Sequence, residues 1–208
     1  EEGELVRVKT NLPGQFSVYN ALAAISCARL LGVSLADAAA ALETAHGAKG
    51  RVEPVPTDGD YSIFIDYAVT PDAIENVLTT LRGIAPKRLV MLFGAGGDRD
   101  RKKRPIMGKL SADIADFVIV TSDNPRTEDP MSIIEEILPG VRAGKAPYKV
   151  ICDRPEAIRW AIDHHEPGDV ILLCGKGHED YQIIGHEKIH MDEREIVADY
   201  LAERAKRT

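Results

Sequence analysis

The sequence predicts an α/β fold built on a mostly parallel sheet with helices on both faces. Short, continuously apolar runs rich in valine, isoleucine and leucine recur along the chain, for example at Leu89–Phe93 and residues 170–174. Runs with apolar residues at helical spacing alternate with them. Strands that are apolar on both faces are typical of parallel sheets covered by helices. We therefore expect alternating strands and helices in one layered domain.

The first fifty residues follow a different pattern. Residues 5–9 alternate between apolar and polar side chains and predict a strand, which a turn at residues 11–14 ends. Helices are expected over residues 18–31 and from Ser34 to Gly47. A strand and two helices bury too little apolar surface to fold alone. We therefore expect residues 1–49 to be the end of a preceding domain and residues 50–208 to form the next one.

The larger region repeats a strand and a helix five times. Strands are expected at residues 62–65, 89–93, 117–121, 149–152 and 170–174, and helices at residues 71–81, 106–115, 131–138, 156–163 and 193–205. The loops that follow such strands meet at one edge of the sheet, where open α/β sheets bind ligands.

Composition narrows the classes of function. The 208 residues are 44% hydrophobic and 28% charged, as is usual for a globular chain, and the net charge of −7 argues against nucleic acid or an anionic membrane as partner. No apolar run reaches the ~18 residues of a membrane span. The three cysteines lie in apolar runs without a C-x-x-C pair, which predicts reduced core thiols and a cytoplasmic protein.

The segment from Asp123 to Pro130 carries the densest chemistry. It follows an apolar strand, and Pro125 favours an extended conformation at Asn124. Arg126 can bind a carboxylate through two hydrogen bonds, Asp123 can hold an ammonium, and Asn124 can do either. These residues predict a site for a small zwitterion. A loop with a solvated ion pair is the alternative from these residues alone.

Two glycine loops follow other strands. Gly94-Ala95-Gly96-Gly97 lacks the third glycine of a dinucleotide loop, and residues 140–146 are one residue short of a P-loop, so we expect no nucleotide-phosphate loop. Arg99 offers a second guanidinium beside the first loop. The alternative interpretation of this loop is a tight turn with solvated charges. Gly175-Lys176-Gly177 offers backbone amides, and Glu179 offers a carboxylate for an ammonium.

Asp66 ends the first long strand, where it could hold a ribose hydroxyl or cap the following turn. No set of His, Asp and Glu has the spacing of metal ligands.

Taken together, the loops resemble those of the Mur ligases of peptidoglycan synthesis, and in particular the members that add meso-diaminopimelate to UDP-N-acetylmuramoyl-L-alanyl-D-glutamate. The matching segments, in family order, are Leu12-Pro13-Gly14 with Asn20, Gly50-Arg51-Val52-Glu53, and residues 66–72, 96–105, 123–130 and 175–182. Each segment alone is weak evidence for the resemblance, but the set as a whole is specific to this family.

The resemblance implies a Rossmann-like C-terminal domain of a three-domain, ATP- and Mg²⁺-dependent amide ligase, expected to be monomeric. Residues 1–49 would end its central ATPase domain, and the family's P-loop and magnesium ligands would lie upstream, so this chain alone would be inactive. The resemblance places the incoming diamino acid at Arg99, Asn124, Arg126, Gly175 and Glu179, with Asp123 supporting the loop. Arg51 and Asp66 would contact the nucleotide.

Two positions depart from the family pattern. Ser17 stands where the family usually has asparagine, and Val69 where it usually has histidine. Both positions lie on the ATP side of the family's site, so the departures bear on nucleotide affinity and leave the amino-acid loop intact.

The alternatives to a diaminopimelate-adding Mur ligase are a related amide ligase, of the folylpolyglutamate or cyanophycin synthetase type, and a non-catalytic binding module. The arginine loop at Asn124 and Arg126 argues against the former, and the two departures lend weight to the latter.

Overall fold

The computed structural model describes residue 3, residues 5–10 and residues 12–207. The chain divides into two compact units, Glu1–Ala48 and Lys49–Thr208.

The described residues of the first unit form the helices α1 (Gln15–Leu30) and α2 (Leu35–Glu43). Ser34 caps α2 by accepting a hydrogen bond from the Asp37 amide at 3.0 Å. The strand expected at residues 5–9 is wrong, because residues 5–10 form no regular structure and pair with no other described segment. The turn expected at residues 11–14 lies partly outside the described residues.

The second unit is organised on a six-stranded sheet in the order β1-β2-β6-β3-β4-β5. Its strands are β1 (Glu53–Val55), β2 (Tyr61–Asp66), β3 (Leu89–Phe93), β4 (Phe117–Val120), β5 (Tyr148–Val150) and β6 (Asp169–Cys174). Strand β1 pairs antiparallel with β2, and every other pairing in the sheet is parallel. The carboxyl ends of β2, β3, β4 and β6 therefore lie at one edge.

Five helices cover the two faces of the sheet. They are α3 (Pro71–Arg82), α4 (Lys103–Ile114), α5 (Pro130–Ala143), α6 (Arg154–Asp163) and α7 (Glu193–Ala205). Apolar side chains of α3, α4 and α5 pack on one face, and those of α6 and α7 pack on the other. Because the sheet is covered on both sides, β3 and β6 are buried along their whole length.

The predicted α/β fold is confirmed, and the differences from the sequence-based expectations are local. Helix α5 continues past Pro139 to Ala143, although it was expected to end at residue 138. The continued part packs tightly on α4, because a Cβ added at Gly140 would overlap the Pro105 carbonyl oxygen.

Two features of the structure were not predicted from the sequence: the edge strand β1, and a two-stranded hairpin of β7 (Tyr181–Ile184) and β8 (Glu187–His190). Among the described helices, none is sufficiently long and apolar to cross a membrane.

Candidate functional site

A cleft of about 120 Å³ opens at the carboxyl edge of the sheet. Four loops form it, those that follow β2, β3, β4 and β6, together with the start of α4. The residues lining it are Tyr67, Val69, Gly94, Ala95, Gly96, Arg99, Lys103, Met107, Asp123, Asn124, Arg126, Gly175 and Glu179. The cleft therefore brings guanidinium, ammonium, carboxylate and amide groups to one small space.

The loop after β4 is held rigidly. Asn124 is 3% exposed, and its carbonyl oxygen accepts a hydrogen bond from the Gly97 amide at 2.9 Å. A Cβ at Gly97 would overlap the Pro125 carbonyl oxygen, so only glycine permits this close approach of the loops after β3 and β4. The two loops therefore form one wall of the cleft.

Arg126 has a left-handed backbone, with φ of 53°. This conformation is costly for a residue with a side chain, and it persists where surrounding contacts fix it. Here the hairpin does so, because the Arg126 amide donates to the Ile183 carbonyl at 3.0 Å and the Gly185 amide donates to the Arg126 carbonyl at 2.7 Å. The hairpin thus sets the direction in which Arg126 leaves the backbone.

The Arg126 guanidinium is anchored on one side only. Its Nη1 donates to the Gly97 carbonyl at 2.8 Å and to the Asn124 carbonyl at 3.4 Å. Nε and Nη2 bond to no other described residue, so they are available to a ligand in the cleft. Arg99 is exposed at the rim and supplies a second guanidinium.

Lys176, Asn124 and Glu179 form a buried polar network behind the cleft. The Lys176 ammonium is fully buried, and it donates to Asn124 Oδ1 and to Glu179 Oε2, both at 2.8 Å. Asn124 Nδ2 donates to the same Glu179 oxygen at 2.9 Å. Burial raises the pKa of Glu179, but hydrogen bonds from Lys176, Asn124 and Tyr181 outweigh it and hold that pKa below its usual value. Glu179 is therefore an ionised carboxylate.

Asp123 has one oxygen that bonds to the backbone and one that is buried close to Gly175. Oδ1 accepts the Asn124 amide at 2.6 Å. Oδ2 is buried without a hydrogen-bond partner among the described residues, and the nearest guanidinium, that of Arg154, lies 4.0 Å away. A buried acceptor without a partner is costly, so Oδ2 is suited to receive a donor from a ligand.

Arg154 connects the ends of two strands next to Asp123. Its guanidinium is fully buried and donates to the Ser122 carbonyl at 3.2 Å and the Cys174 carbonyl at 2.8 Å, which joins the ends of β4 and β6. Nε donates to the equally buried Glu193 at the start of α7, at 2.8 Å.

Arg104 joins the loops after β3 and β4. Its guanidinium, which is buried, donates to both oxygens of Glu128, at 2.8 and 2.9 Å, and to the Gly96 carbonyl at 3.2 Å. Glu128 also accepts the Asp98 amide at 2.6 Å. This pairing lowers the pKa of Glu128 to about 2. The ion pair between Arg104 and Glu128 therefore holds together the two loops that carry Arg99 and Arg126.

The two residues expected to contact a nucleotide lie outside the cleft lining. Asp66 is 6% exposed, and its carboxylate accepts the amides of Val52 at 2.8 Å and Ala68 at 2.9 Å. Burial raises the pKa of Asp66, and the two backbone hydrogen bonds partly oppose the shift. Arg51 is exposed and lies over the Tyr67 ring, 5.6 Å from its centroid. Asp66 thus holds the loop that presents Arg51.

The model of one protein family matches most of this unit. Residues 50–177 match the family described as Mur ligase, glutamate ligase domain. The chain belongs to the Mur ligase family.

Individual Mur ligases resemble the chain closely. It is 52% identical over 199 residues to a UDP-N-acetylmuramoyl-L-alanyl-D-glutamate–2,6-diaminopimelate ligase of Caldanaerobacter subterraneus subsp. tengcongensis, covering 96% of this chain and 41% of that protein. It is 46% identical over 200 residues to the enzyme of the same name of Syntrophomonas wolfei subsp. wolfei, with the same coverage. A solved structure of a ligase of that name superimposes with a TM-score of 0.74 at 38% identity, covering 95% of this chain and 40% of that one. The chain thus spans about two fifths of these relatives.

The predicted membership of the Mur ligases is confirmed by these matches. The structure brings all six residues expected to bind the amino acid to one cleft: Arg99, Asp123, Asn124, Arg126, Gly175 and Glu179. It does not bring Arg51 and Asp66 there, and their contact with a nucleotide stays a prediction. Val69 lines the cleft, so that departure from the family pattern also bears on this site.

Sequence reasoning missed the three buried cations Arg104, Arg154 and Lys176 as parts of this Mur ligase site. A signal was present for two of them. Arg104 and Arg154 lie in the first turns of α4 and α6, where the helix dipole disfavours a cation. Lys176 lies between two glycines after a strand, a common turn sequence that gives no sign of burial.

Proposed function

We propose that the chain is the C-terminal, amino-acid-binding part of an ATP-dependent ligase that adds meso-diaminopimelate to UDP-N-acetylmuramoyl-L-alanyl-D-glutamate. The observation that carries this proposal is the charge pattern of the cleft, which Arg126 lines together with Glu179 and Asp123. Such a site is complementary to a ligand that carries both carboxylates and ammonium groups. The relatives described above bear the name of this reaction.

In this proposal the basic side chains bind the carboxylates of the ligand and the acidic side chains bind its ammonium groups. Arg126 Nε and Nη2 bind one carboxylate as a fork, and Arg99 attracts a second from the rim. Glu179 Oε1 and Asp123 Oδ2 bind ammonium groups. Meso-diaminopimelate has two ammonium and two carboxylate groups, whereas lysine lacks one carboxylate. A buried site built for a polar group rejects an analogue without it by roughly 10⁴-fold in favourable cases.

The chemistry that the proposal requires is amide formation in two steps. ATP converts the D-glutamyl γ-carboxylate of the acceptor into an acyl phosphate, and an amine of the diamino acid then attacks that carbonyl with loss of phosphate. This chain positions the amine and excludes water from it. We assign residues 1–49 to the end of the central ATPase domain, and place the ligase as a monomer in the cytoplasm.

ATP and Mg²⁺ are bound mainly by the rest of the ligase in this proposal. No group of three or more His, Cys, Asp or Glu within residues 5–10 and 12–207 is arranged to hold a metal ion, so the described residues do not fit a Mg²⁺ site. Arg51, exposed at the edge of this unit, suits contact with an anionic nucleotide. Asp66, with both oxygens accepting backbone amides, supports the loop of Arg51.

The test is steady-state kinetics of the complete ligase with Arg126→Ala. We expect the KM for meso-diaminopimelate to rise roughly 10- to 100-fold, as for the loss of a charge-assisted hydrogen bond, with the KM for ATP within about twofold of wild type. Arg142→Ala is the matched control, since this arginine lies near the end of α5 and bonds to Tyr148 at 3.1 Å.

Equal increases of both KM values would contradict the assignment of Arg126. Ligation of glutamate to a folate would favour the alternative amide ligase. Absence of ATP-dependent ligation in the complete protein would favour a binding module.

A further inference from the structure

Lys176 is a charged side chain enclosed directly behind the cleft. It is fully buried and does not line the cleft, although its neighbours Gly175 and Glu179 do. Its ammonium donates to Asn124 Oδ1 and Glu179 Oε2, and it lies 5.2 Å from the centroid of the Tyr181 ring. Burying an ammonium is costly unless its partners are well placed. Any role of Lys176 at this site is therefore one that does not require direct contact with a ligand.

The network fixes the orientation of the Asn124 amide. Oδ1 accepts from Lys176 Nζ at 2.8 Å and from the Ile183 amide at 2.9 Å, while Nδ2 donates to Glu179 Oε2 at 2.9 Å. Rotating the amide by half a turn would place its NH₂ group against two donors and its oxygen against a carboxylate. Asn124 is thereby left with one N–H to offer the cleft and no acceptor.

The network also occupies one carboxylate oxygen of Glu179 and leaves the other available to a ligand. Oε2 accepts from both Lys176 and Asn124, whereas among the described residues Oε1 accepts only from the Tyr181 hydroxyl, at 3.2 Å. Oε1 thus retains the capacity to receive an ammonium. The cleft presents a donor at Asn124 beside an acceptor at Glu179, which matches the carboxylate and the ammonium of one amino-acid end.

We propose that Lys176 is a positioning residue that sets the polarity of the amino-acid site, by locking the Asn124 amide as a donor and leaving Glu179 Oε1 as an acceptor. This inference rests on the proposed function, which supplies the amino acid as ligand. It adds a residue that acts through its two neighbours without touching the substrate. It also predicts that Lys176 and Glu179 act as a unit.

The test is a double-mutant cycle in the complete ligase with Lys176→Met, Glu179→Gln and the two combined. We expect Lys176→Met to raise the KM for meso-diaminopimelate at least about tenfold, with smaller changes in kcat and in the KM for ATP. The double variant removes both charges, so its KM should stay well below the product of the two single effects. Lys149→Met is the control, because Lys149 lies 5.3 Å from the Trp160 ring, away from the cleft.

A second readout needs neither substrate nor turnover. With ¹⁵N-asparagine labelling, the side-chain amide signals of Asn124, assigned by their loss in Asn124→Asp, should move in Lys176→Met and stay in place in Lys149→Met. If Lys176→Met does not fold, the charge-neutral double variant is compared with Glu179→Gln in both readouts, and the difference between the two reports the effect of Lys176. Independent, multiplicative effects on KM, or unchanged Asn124 signals, would overturn the inference. If the wild-type ligase does not use meso-diaminopimelate, the proposed function fails, and the Asn124 signals alone decide the role of Lys176.

Discussion

Single residues at this site are fixed by partners that lie far away in the sequence. Arg126 keeps a left-handed backbone, which costs a non-glycine residue about 1–2 kcal/mol. Backbone hydrogen bonds to Ile183 and Gly185 hold it in place. The strain is therefore balanced by a hairpin almost sixty residues downstream, and the geometry of Arg126 depends on contacts that no local pattern around it contains.

The ion pair between Arg104 and Glu128 predicts a pH dependence of stability. The pKa of Glu128 falls from 4.5 to about 2 on folding, so the folded state binds fewer protons than the unfolded state between these values. The contribution of Glu128 is complete above about pH 4.5 and is lost as the pH falls towards 2. Glu128→Gln should lower the free energy of unfolding by roughly 2 kcal/mol near neutral pH.

Calorimetric melting temperatures from about pH 6 to pH 2.5 would measure this effect. We expect the fall in melting temperature below about pH 4.5 to be shallower in Glu128→Gln than in wild type. Glu135→Gln, which changes an exposed glutamate of α5, should keep the wild-type slope. A wild-type slope in Glu128→Gln would mean that other carboxylates account for the acid sensitivity.

At the scale of elements, the hairpin β7–β8 belongs to the site although its strands lie outside the main sheet. Gln182 Nε2 donates to Ser122 Oγ at 3.0 Å and to the Asp123 carbonyl at 2.6 Å. The Ile183 amide reaches Asn124, and Ile184 forms a parallel bridge with Arg126. The hairpin therefore contacts the loop after β4 from Ser122 to Arg126 and should limit its motion.

Gly185 lets us test the hairpin without changing a residue that faces the ligand. It occupies the first position of the two-residue turn, with φ of 61°. Gly185→Ala introduces strain of about 1 kcal/mol there. If that strain loosens the hairpin, the KM for meso-diaminopimelate in the complete ligase should rise up to about fivefold, with the KM for ATP unchanged.

Gly168→Ala is the matched control for the hairpin. Gly168 also has a positive φ, of 88°, and it also donates its amide to a carbonyl, that of Asp60, but it lies at the amino end of β6, away from the cleft. The two variants should lose similar stability. A similar rise in KM in both would show that general destabilisation, and not the hairpin, controls binding.

For the whole molecule, the fold could be predicted because the apolar strands and the helical periodicities are continuous in sequence. The position of the cleft could be predicted because parallel strands bring their following loops to one edge, and the resemblance to the Mur ligases supplied six of the residues that line it. The hairpin could not, since Glu187–His190 is exposed along its length and shows no apolar alternation. Lys176 could not be assigned either, because its burial depends on the side-chain oxygen of Asn124, which another loop contributes, as well as on Glu179 of its own loop.

A preformed cleft predicts that this chain binds the amino acid without the rest of the ligase. Calorimetric titration of the 208-residue chain should give weak heat with meso-diaminopimelate, none with L-lysine, and none with meso-diaminopimelate after Arg126→Ala. Arg142→Ala should bind like wild type. Heat of equal size with both amino acids would contradict the proposed selectivity, and no heat with either would mean that the cleft binds only when the other domains close on it.

The short antiparallel strand β1 has a consequence for the behaviour of the chain in concentrated solution. It pairs along β2 and ends the sheet with three residues, of which Pro54 has no amide hydrogen. At the opposite edge, β5 is also only three residues long. A strand from a second copy would find few backbone partners at either edge, so the sheet is protected from growing by edge-to-edge association and from the aggregation that this initiates.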